Sequence, residues 1–184
     1  GEPVLLETDH ILIATGSVPV CPPIPGADLP GVVTSDGLLD KQDMFGHLII
    51  IGGGVIGMEF ASIYSSLGHP VTVIEALDRI LPGMDKEIAQ NLKMILKKRG
   101  TDIHTGARVE EILRAEDGRG LACRFVEKDK AWEVTADGIL IATGRRAYTG
   151  GLISEESSQD IKDMAMERGR IVTDGNHETS VPGI

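Results

Sequence analysis

Apolar residues fall along this chain in two rhythms, and the change from one to the other predicts its architecture. Leu48-Ile49-Ile50-Ile51 is an unbroken apolar run. That is the pattern of a strand covered on both faces, so residues 47–51 are expected in a parallel sheet. Gly52-Gly53-Gly54 breaks the run. From Val55 to Leu67 the apolar residues Ile56, Phe60, Ile63, Tyr64 and Leu67 recur at helical spacing, with Gly68 placed to cap the end. A second strand is expected over 71–75. Asp85 to Arg99 predicts an amphipathic helix carrying Ile88, Leu92, Ile95 and Leu96 on one face and ended by Gly100. Short strands are expected over 102–105, 108–115, 120–126 and 131–135, with Asp117-Gly118 as a hairpin turn, and a final apolar strand over 139–142. Beyond it, 154–168 is polar and weakly helical, and 170–173 suits a short strand. The fold class is therefore α/β, a parallel sheet with helices on one face and a β-meander (108–135) on the other.

The N-terminal part follows a different pattern. The Pro-rich stretch Pro19 to Pro30 predicts an extended crossing segment rather than helix or central strand. Before it, Ile11-Leu12-Ile13-Ala14-Thr15-Gly16 reads as an apolar strand running into a tight turn, and Ile139-Leu140-Ile141-Ala142-Thr143-Gly144 repeats it letter for letter. The two copies bracket the strand–helix–strand unit. That placement suggests two chain crossings around one inserted domain, not a tandem repeat.

Composition narrows the possible partners. The chain has 184 residues with 18 Lys and Arg against 28 Asp and Glu, a net charge of −10. Nucleic acid is not an expected partner, because binding phosphate backbones needs a cationic excess. The longest basic run, Lys97-Lys98-Arg99, sits at a helix end where it complements the dipole. No apolar stretch reaches the roughly 18 residues of a membrane span, so no membrane association is expected. Gly1-Glu2-Pro3 carries no signal-peptide features. Cys21 and Cys123 stand 102 positions apart with no metal-ligand spacing, which predicts two reduced thiols in a cytoplasmic protein and no metal site.

The sharpest chemical signal is Gly52-Gly53-Gly54-Val55-Ile56-Gly57. It follows a buried strand, opens a helix and leads to a strand ending in Glu75, 18 residues after Gly57. Each part suits a dinucleotide: Gly52 for the turn, Gly54 for close approach of the pyrophosphate, Gly57 for packing of the helix on the sheet. The helix N-terminus offers unpaired N–H groups to the phosphates. Glu75 is placed to accept from the ribose hydroxyls and to repel a 2′-phosphate, which favours NAD over NADP; Arg79 nearby is the one residue suited to a 2′-phosphate. Glu59 is expected in the first turn of the helix, where dipole compensation alone explains an acid.

The stretch GGGVIGMEFASIYSSLGHPVTVIE, flanked by ILIATGSVPVCPPIPG and ILIATGRRAYTGG, resembles the pyridine-nucleotide-disulfide oxidoreductases, and within them the dihydrolipoamide dehydrogenase branch. The likeness continues through LPGMDKEIAQNLKMILKKRG and ends at TSVPGI. It implies a Rossmann-like FAD/NAD(P)-binding fold in which an NAD-binding domain (36–146) interrupts an FAD domain represented by partial segments, 1–35 and 147–184. It also implies that Thr15, Gly16 and Ser17 lie against FAD. The NAD site would comprise Gly52, Gly53, Gly54, Val55, Ile56, Gly57, Met58, Glu59, Glu75, Val109 and Gly144. Glu59 matches a carboxylate that pairs with a flavin-side Lys, and Val55 stands where some relatives carry a Tyr gate.

The departures from the family are equally specific. The FAD-binding GxGxxG, the Cys-x4-Cys redox pair and the dimerisation domain with its His-Glu pair do not occur, and the family's usual Pro-Asn is replaced within Arg145-Arg146-Ala147-Tyr148. None of His10, His47, His69, His104 and His177 matches the family's base. The expected identity is thus part of a larger enzyme, inactive alone, whose partner is the remainder of the same polypeptide in a homodimeric parent. Two other readings stand beside it: a stand-alone NAD-binding sensor, and the NAD domain of a mercuric or CoA-disulfide reductase.

Overall fold

The computed structural model describes residues 4–116 and 118–184; Gly1 to Pro3 and Asp117 of the expected hairpin turn lie outside them. The strands are β1 (Ser17–Pro19), β2 (Val32–Thr34), β3 (Leu48–Ile51), β4 (Val71–Glu75), β5 (Asp102–Thr105), β6 (Ala107–Arg114), β7 (Leu121–Glu127), β8 (Lys130–Ala136), β9 (Gly138–Ile141), β10 (Arg145–Ala147), β11 (Met166–Glu167) and β12 (Arg170–Ile171). The helices are α1 (Ser35–Leu39), α2 (Val55–Ser66), α3 (Lys86–Lys98) and α4 (Gln159–Lys162). The chain divides into two compact units, Pro19–Gly144 and a smaller one made of Gly1–Val18 with Arg145–Ile184.

The larger unit is built on a five-stranded sheet in the order β2-β9-β3-β4-β5, every pair parallel. The continuous apolar runs serve two cores at once, because successive side chains leave a strand on opposite faces. Leu48, Ile50, Val71, Val73 and Leu140 meet Met58, Ala61 and Tyr64 of α2 and Ala89 and Leu96 of α3. Ile49, Ile51, Ile74, Ile139 and Ile141 meet Ile112, Leu121, Cys123 and Phe125 of the antiparallel meander β6-β7-β8. The helix layer and the meander therefore lie on opposite faces of one sheet, as the apolar rhythm predicts.

Three features of this unit differ from the expectation. Residues 19–35 pack with it, although the inserted domain was expected from 36. Val32–Thr34 forms the edge strand beside β9, a run too short to stand out by pattern. The Pro-rich segment is extended only in part. Its second half turns, and Ile24, Ala27 and Leu29 pack against the meander-side core while Ile112 N–H donates to the Pro25 carbonyl (2.8 Å). At the far edge, His104 is buried with its two ring nitrogens 3.0 Å from Asp102 and 2.7 Å from Glu127, which ties β5 to the meander.

The smaller unit is sparser. It holds the pair β1-β10, the hairpin β11-β12 and α4. The strand expected at Ile11 to Ala14 is absent among the described residues. Ile11 N–H reaches the Gly183 carbonyl, but no ladder forms. Of the helix expected over 154–168 only α4 is present, and none of its residues is buried, so no core contact sustains a longer one. Among the described residues no helix is long and apolar enough to cross a membrane.

Two outcomes follow from this packing. Gly26 has φ +82°, and a Cβ there would fall 1.9 Å from the Ile112 carbonyl oxygen. Gly26→Ala should destabilise the chain by about 2–4 kcal/mol, combining left-handed strain with overpacking, and shift its urea midpoint accordingly. Burial pushes the Cys123 thiol up to about 12 from 9.0. The folded thiol keeps its proton where the unfolded one loses it, so stability falls as pH rises from about 9 towards 12, by at most about 1.4 kcal/mol per pH unit. Urea titrations at stepped pH should show this slope, and Cys123→Ala should remove it.

Candidate nucleotide-binding site

The Gly-rich turn joins β3 to α2, and its glycines are glycines for different reasons. Gly52 has φ +114°, and a Cβ on it would lie 2.4 Å from the Ala142 carbonyl oxygen. A Cβ on Gly57 would lie 2.0 Å from the carbonyl oxygen of Gly52 itself. One on Gly53 would press on the Glu75 side chain at 3.1 Å. Gly53 is closely confined, and Gly52 and Gly57 are demanded by the protein's own atoms. Gly54 is not: a Cβ there would meet nothing within 4 Å, and its φ of −74° is open to any residue. The protein supplies no internal reason for that glycine.

Gly54 is also the N-cap of α2, so the helix starts with no side-chain cap. The other helices of the larger unit are capped: Thr34 accepts from Gly37 N–H for α1, and Asp85 accepts from Glu87 and Ile88 N–H for α3. The first-turn N–H groups of α2 have no partner within the helix, and with no capping oxygen they and the partial positive end of the dipole are left to an outside acceptor. An anion fits there, and bulk at Gly54 would obstruct it.

Glu75 ends β4 almost fully buried. One carboxylate oxygen accepts the Gly53 N–H and the other the Leu77 N–H (2.7 Å). A carboxylate has about four acceptor positions, so lone pairs remain for a pair of hydroxyls. Arg79 donates to the Pro82 carbonyl (2.6 Å) and so closes its own loop. That loop contributes what the sequence did not reveal. Leu81, at φ +49°, donates its N–H to the Gly53 carbonyl (2.8 Å), and Gly106 N–H donates to the Leu77 carbonyl (2.7 Å). Backbone groups do this work, and no residue type announces them.

The remaining expected residues fall as follows. Val55 is exposed, Ile56 half-buried, and Met58 buried in the helix-side core. With α2 beginning at Val55 as expected, Glu59 is its fifth residue and lies just past the first turn assigned to it. It is exposed and makes no hydrogen bond or ion pair among the described residues, so dipole compensation no longer accounts for it. Val109 packs from β6 against the meander-side core. Gly144 has φ +135°, and its carbonyl accepts the Val20 N–H (2.9 Å). Thr15, Gly16 and Ser17 belong to the smaller unit. There Thr15 Oγ1 donates to the Tyr148 carbonyl (2.6 Å), Gly16 accepts from Tyr148 N–H (3.0 Å), and Arg145 donates to the hydroxyl and carbonyl oxygens of Ser17 (2.8 and 2.7 Å). The space above Gly16 is open, with nothing of this chain within 4 Å of a Cβ.

Comparison with known proteins agrees with this geometry. The model of the pyridine nucleotide-disulphide oxidoreductase family matches residues 2–184. A dihydrolipoamide dehydrogenase of Chaetomium thermophilum is 39% identical over 95% of this chain and 34% of its own length. A probable pyridine nucleotide-disulfide oxidoreductase of Escherichia coli, RclA, is 40% identical over 97% of this chain and 38% of its own. The solved Cu(II) complex of RclA, an HOCl-induced flavoprotein disulfide reductase, superposes with a TM-score of 0.79 at 37% identity, covering 95% of this chain and 38% of that one. The chain thus spans between a third and two fifths of the length of these relatives. By sequence along nearly its whole length, and by fold, the chain belongs to the pyridine nucleotide-disulphide oxidoreductase family.

Proposed function

We propose that this chain is the NAD(H)-binding domain of an FAD-dependent dihydrolipoamide dehydrogenase, together with flanking pieces of that enzyme's FAD domain. The observation that carries the proposal is Gly54: an N-cap that leaves α2 uncapped, at a position where only a ligand needs the absence of a Cβ. In this reading the pyrophosphate of NAD rests on the N–H groups at Val55 to Gly57, and the free acceptor positions of Glu75 take the adenosine ribose hydroxyls. When bound, NAD supplies the hydride-accepting nicotinamide; the chain's own residues bind and orient it. Thr15, Gly16 and Ser17 would border FAD from one side. Glu59 would pair with a Lys contributed by the rest of the polypeptide, which forms with this chain a homodimeric parent in the cytoplasm. A second reading, the NAD domain of another flavin disulfide reductase, is supported by an identity to RclA (40%) that matches the 39% to dihydrolipoamide dehydrogenase.

Glu75 gives the cofactor preference a physical test. Calorimetric titration of the chain should show NADH binding about ten-fold or more tighter than NADPH, since a 2′-phosphate replaces a charged hydrogen bond with repulsion. Equal or reversed affinities would overturn the NAD assignment. Glu75→Gln should narrow the preference. With no nucleotide present it should also lower stability by about 1–3 kcal/mol, because an amide NH2 then faces one of two buried N–H donors.

The chain alone should be colourless and without NADH-dependent diaphorase activity on added FAD. Its one Gly-rich dinucleotide turn is assigned to NAD, and hydride transfer needs both reacting centres held about 3–3.5 Å apart. A yellow protein with turnover would refute the division of labour proposed here.

A further inference from the structure

The hairpin of the smaller unit breaks a rule of turn chemistry. Its register pairs Met166 with Ile171 and Glu167 with Arg170, which leaves Arg168-Gly169 as a two-residue loop. Both loop residues have positive φ, +49° and +77°. This is type I′ geometry, whose first position is normally given to Asn, Asp or Gly. Arginine gains nothing there locally, since its Cβ crowds the left-handed backbone. Lys128 holds the same position of the two-residue β7–β8 loop at φ +50°, so the backbone conformation by itself assigns Arg168 no task.

What sets Arg168 apart is its surroundings. It lines a cleft of about 470 Å³ together with Arg145, Arg146 and Arg170, and Glu167 is the only acid in the wall among the described residues. Arg145 is held on Ser17. Among the described residues, the guanidinium groups of Arg146, Arg168 and Arg170 make no ion pair, and Glu167 makes none with Arg170 across the hairpin. Elsewhere in the chain Arg79, Arg99, Arg108 and Arg124 reach a carbonyl, hydroxyl or carboxylate, while Arg114 stands singly on the meander with no partner among the described residues. In a protein with a net charge of −10, four arginines lining one cleft make a local cationic surface that suits an anion. The volume lies within the roughly 300–1,000 Å³ usual for small-ligand sites.

We propose that this cleft binds a compact polyanion of the diphosphate type, separately from the Gly-rich turn. Planar guanidinium forks match phosphoryl oxygens two at a time, and three of them balance the charge of a diphosphate. Ala147, Ile171 and Val172 complete the wall with apolar surface.

The test is calorimetric titration of the 184-residue chain with inorganic pyrophosphate at low salt. It is repeated on a Gly54→Val chain, so that the Gly-rich turn cannot supply the signal. Pyrophosphate should bind both chains alike. Arg168→Asn should weaken binding about ten-fold while holding or raising the melting temperature, because Asn suits the turn. Arg146→Gln with Arg170→Gln should abolish binding, and Arg114→Gln, a change on the meander, should leave it intact. A parallel titration with ADP separates the sources: tighter, Arg168-dependent ADP binding identifies a nucleotide diphosphate, and pyrophosphate binding without it identifies the free anion. No pyrophosphate binding at millimolar concentration, equal binding by Arg168→Asn, or an equal loss in Arg114→Gln would overturn the proposal.

Discussion

The carbonyl of Gly52 stands so close above Gly57 that a single methyl group on the latter would fall 2.0 Å from the oxygen, and Gly52 is itself pressed against the Ala142 carbonyl. Three backbone segments, the end of β3, the start of α2 and the end of β9, meet there with no room for side chains. The contact sets how near α2 lies to the sheet, and hence how Met58, Ala61 and Tyr64 reach Leu48 and Ile50. It also directs the first turn of α2 outward past Gly54. Packing of the helix layer and presentation of the site are consequences of one close approach.

Electrostatics then distinguishes this helix from its neighbours. Capping α1 with Thr34 and α3 with Asp85 satisfies their first-turn donors internally. Starting α2 with a glycine gives up only roughly a few tenths of a kcal/mol relative to a capping side chain, and it keeps the donors available. Glu75 serves both sides of that arrangement. Buried at the end of β4, it holds the Gly53 and Leu77 N–H groups and so stiffens the turn that faces the proposed ligand. A rigid, partly satisfied carboxylate loses little entropy when further hydroxyls reach it.

Two places in the chain gather polar groups that face outward, the N-terminus of α2 at Gly54 and the arginine-lined cleft at Arg168. In the sheet and α3 of the larger unit local and global preferences agree: the apolar runs of β3, β4 and β9 are buried, Asp85 caps α3, and Lys97 and Lys98 close it. Where a sequence departs from such consistency, the departure is where a ligand is to be sought. One of these places lies in each unit, and the groups they offer are N–H donors at one and guanidinium groups at the other.

The sequence alone determined the layered α/β fold, because a period of two with unbroken apolarity and a period of 3.6 admit few alternatives over runs as long as 48–51, 55–67 and 85–99. It located the Gly-rich turn and Glu75, and it carried the family resemblance through two identical ATG turns. It did not reveal β2, whose three residues carry too little pattern, nor the packing of Ile24, Ala27 and Leu29 on the meander, which depends on contacts with residues about ninety positions away. Only the tertiary structure decided that Gly52 and Gly57 are demanded by the protein and Gly54 is not, since that difference lies in which atoms stand nearby. The same holds for the arginines at 146, 168 and 170: separated along the chain they read as ordinary surface charge, and a hairpin brings them to one cleft. Periodicity reports which face a residue takes, whereas a site depends on distances between segments that the chain alone does not specify.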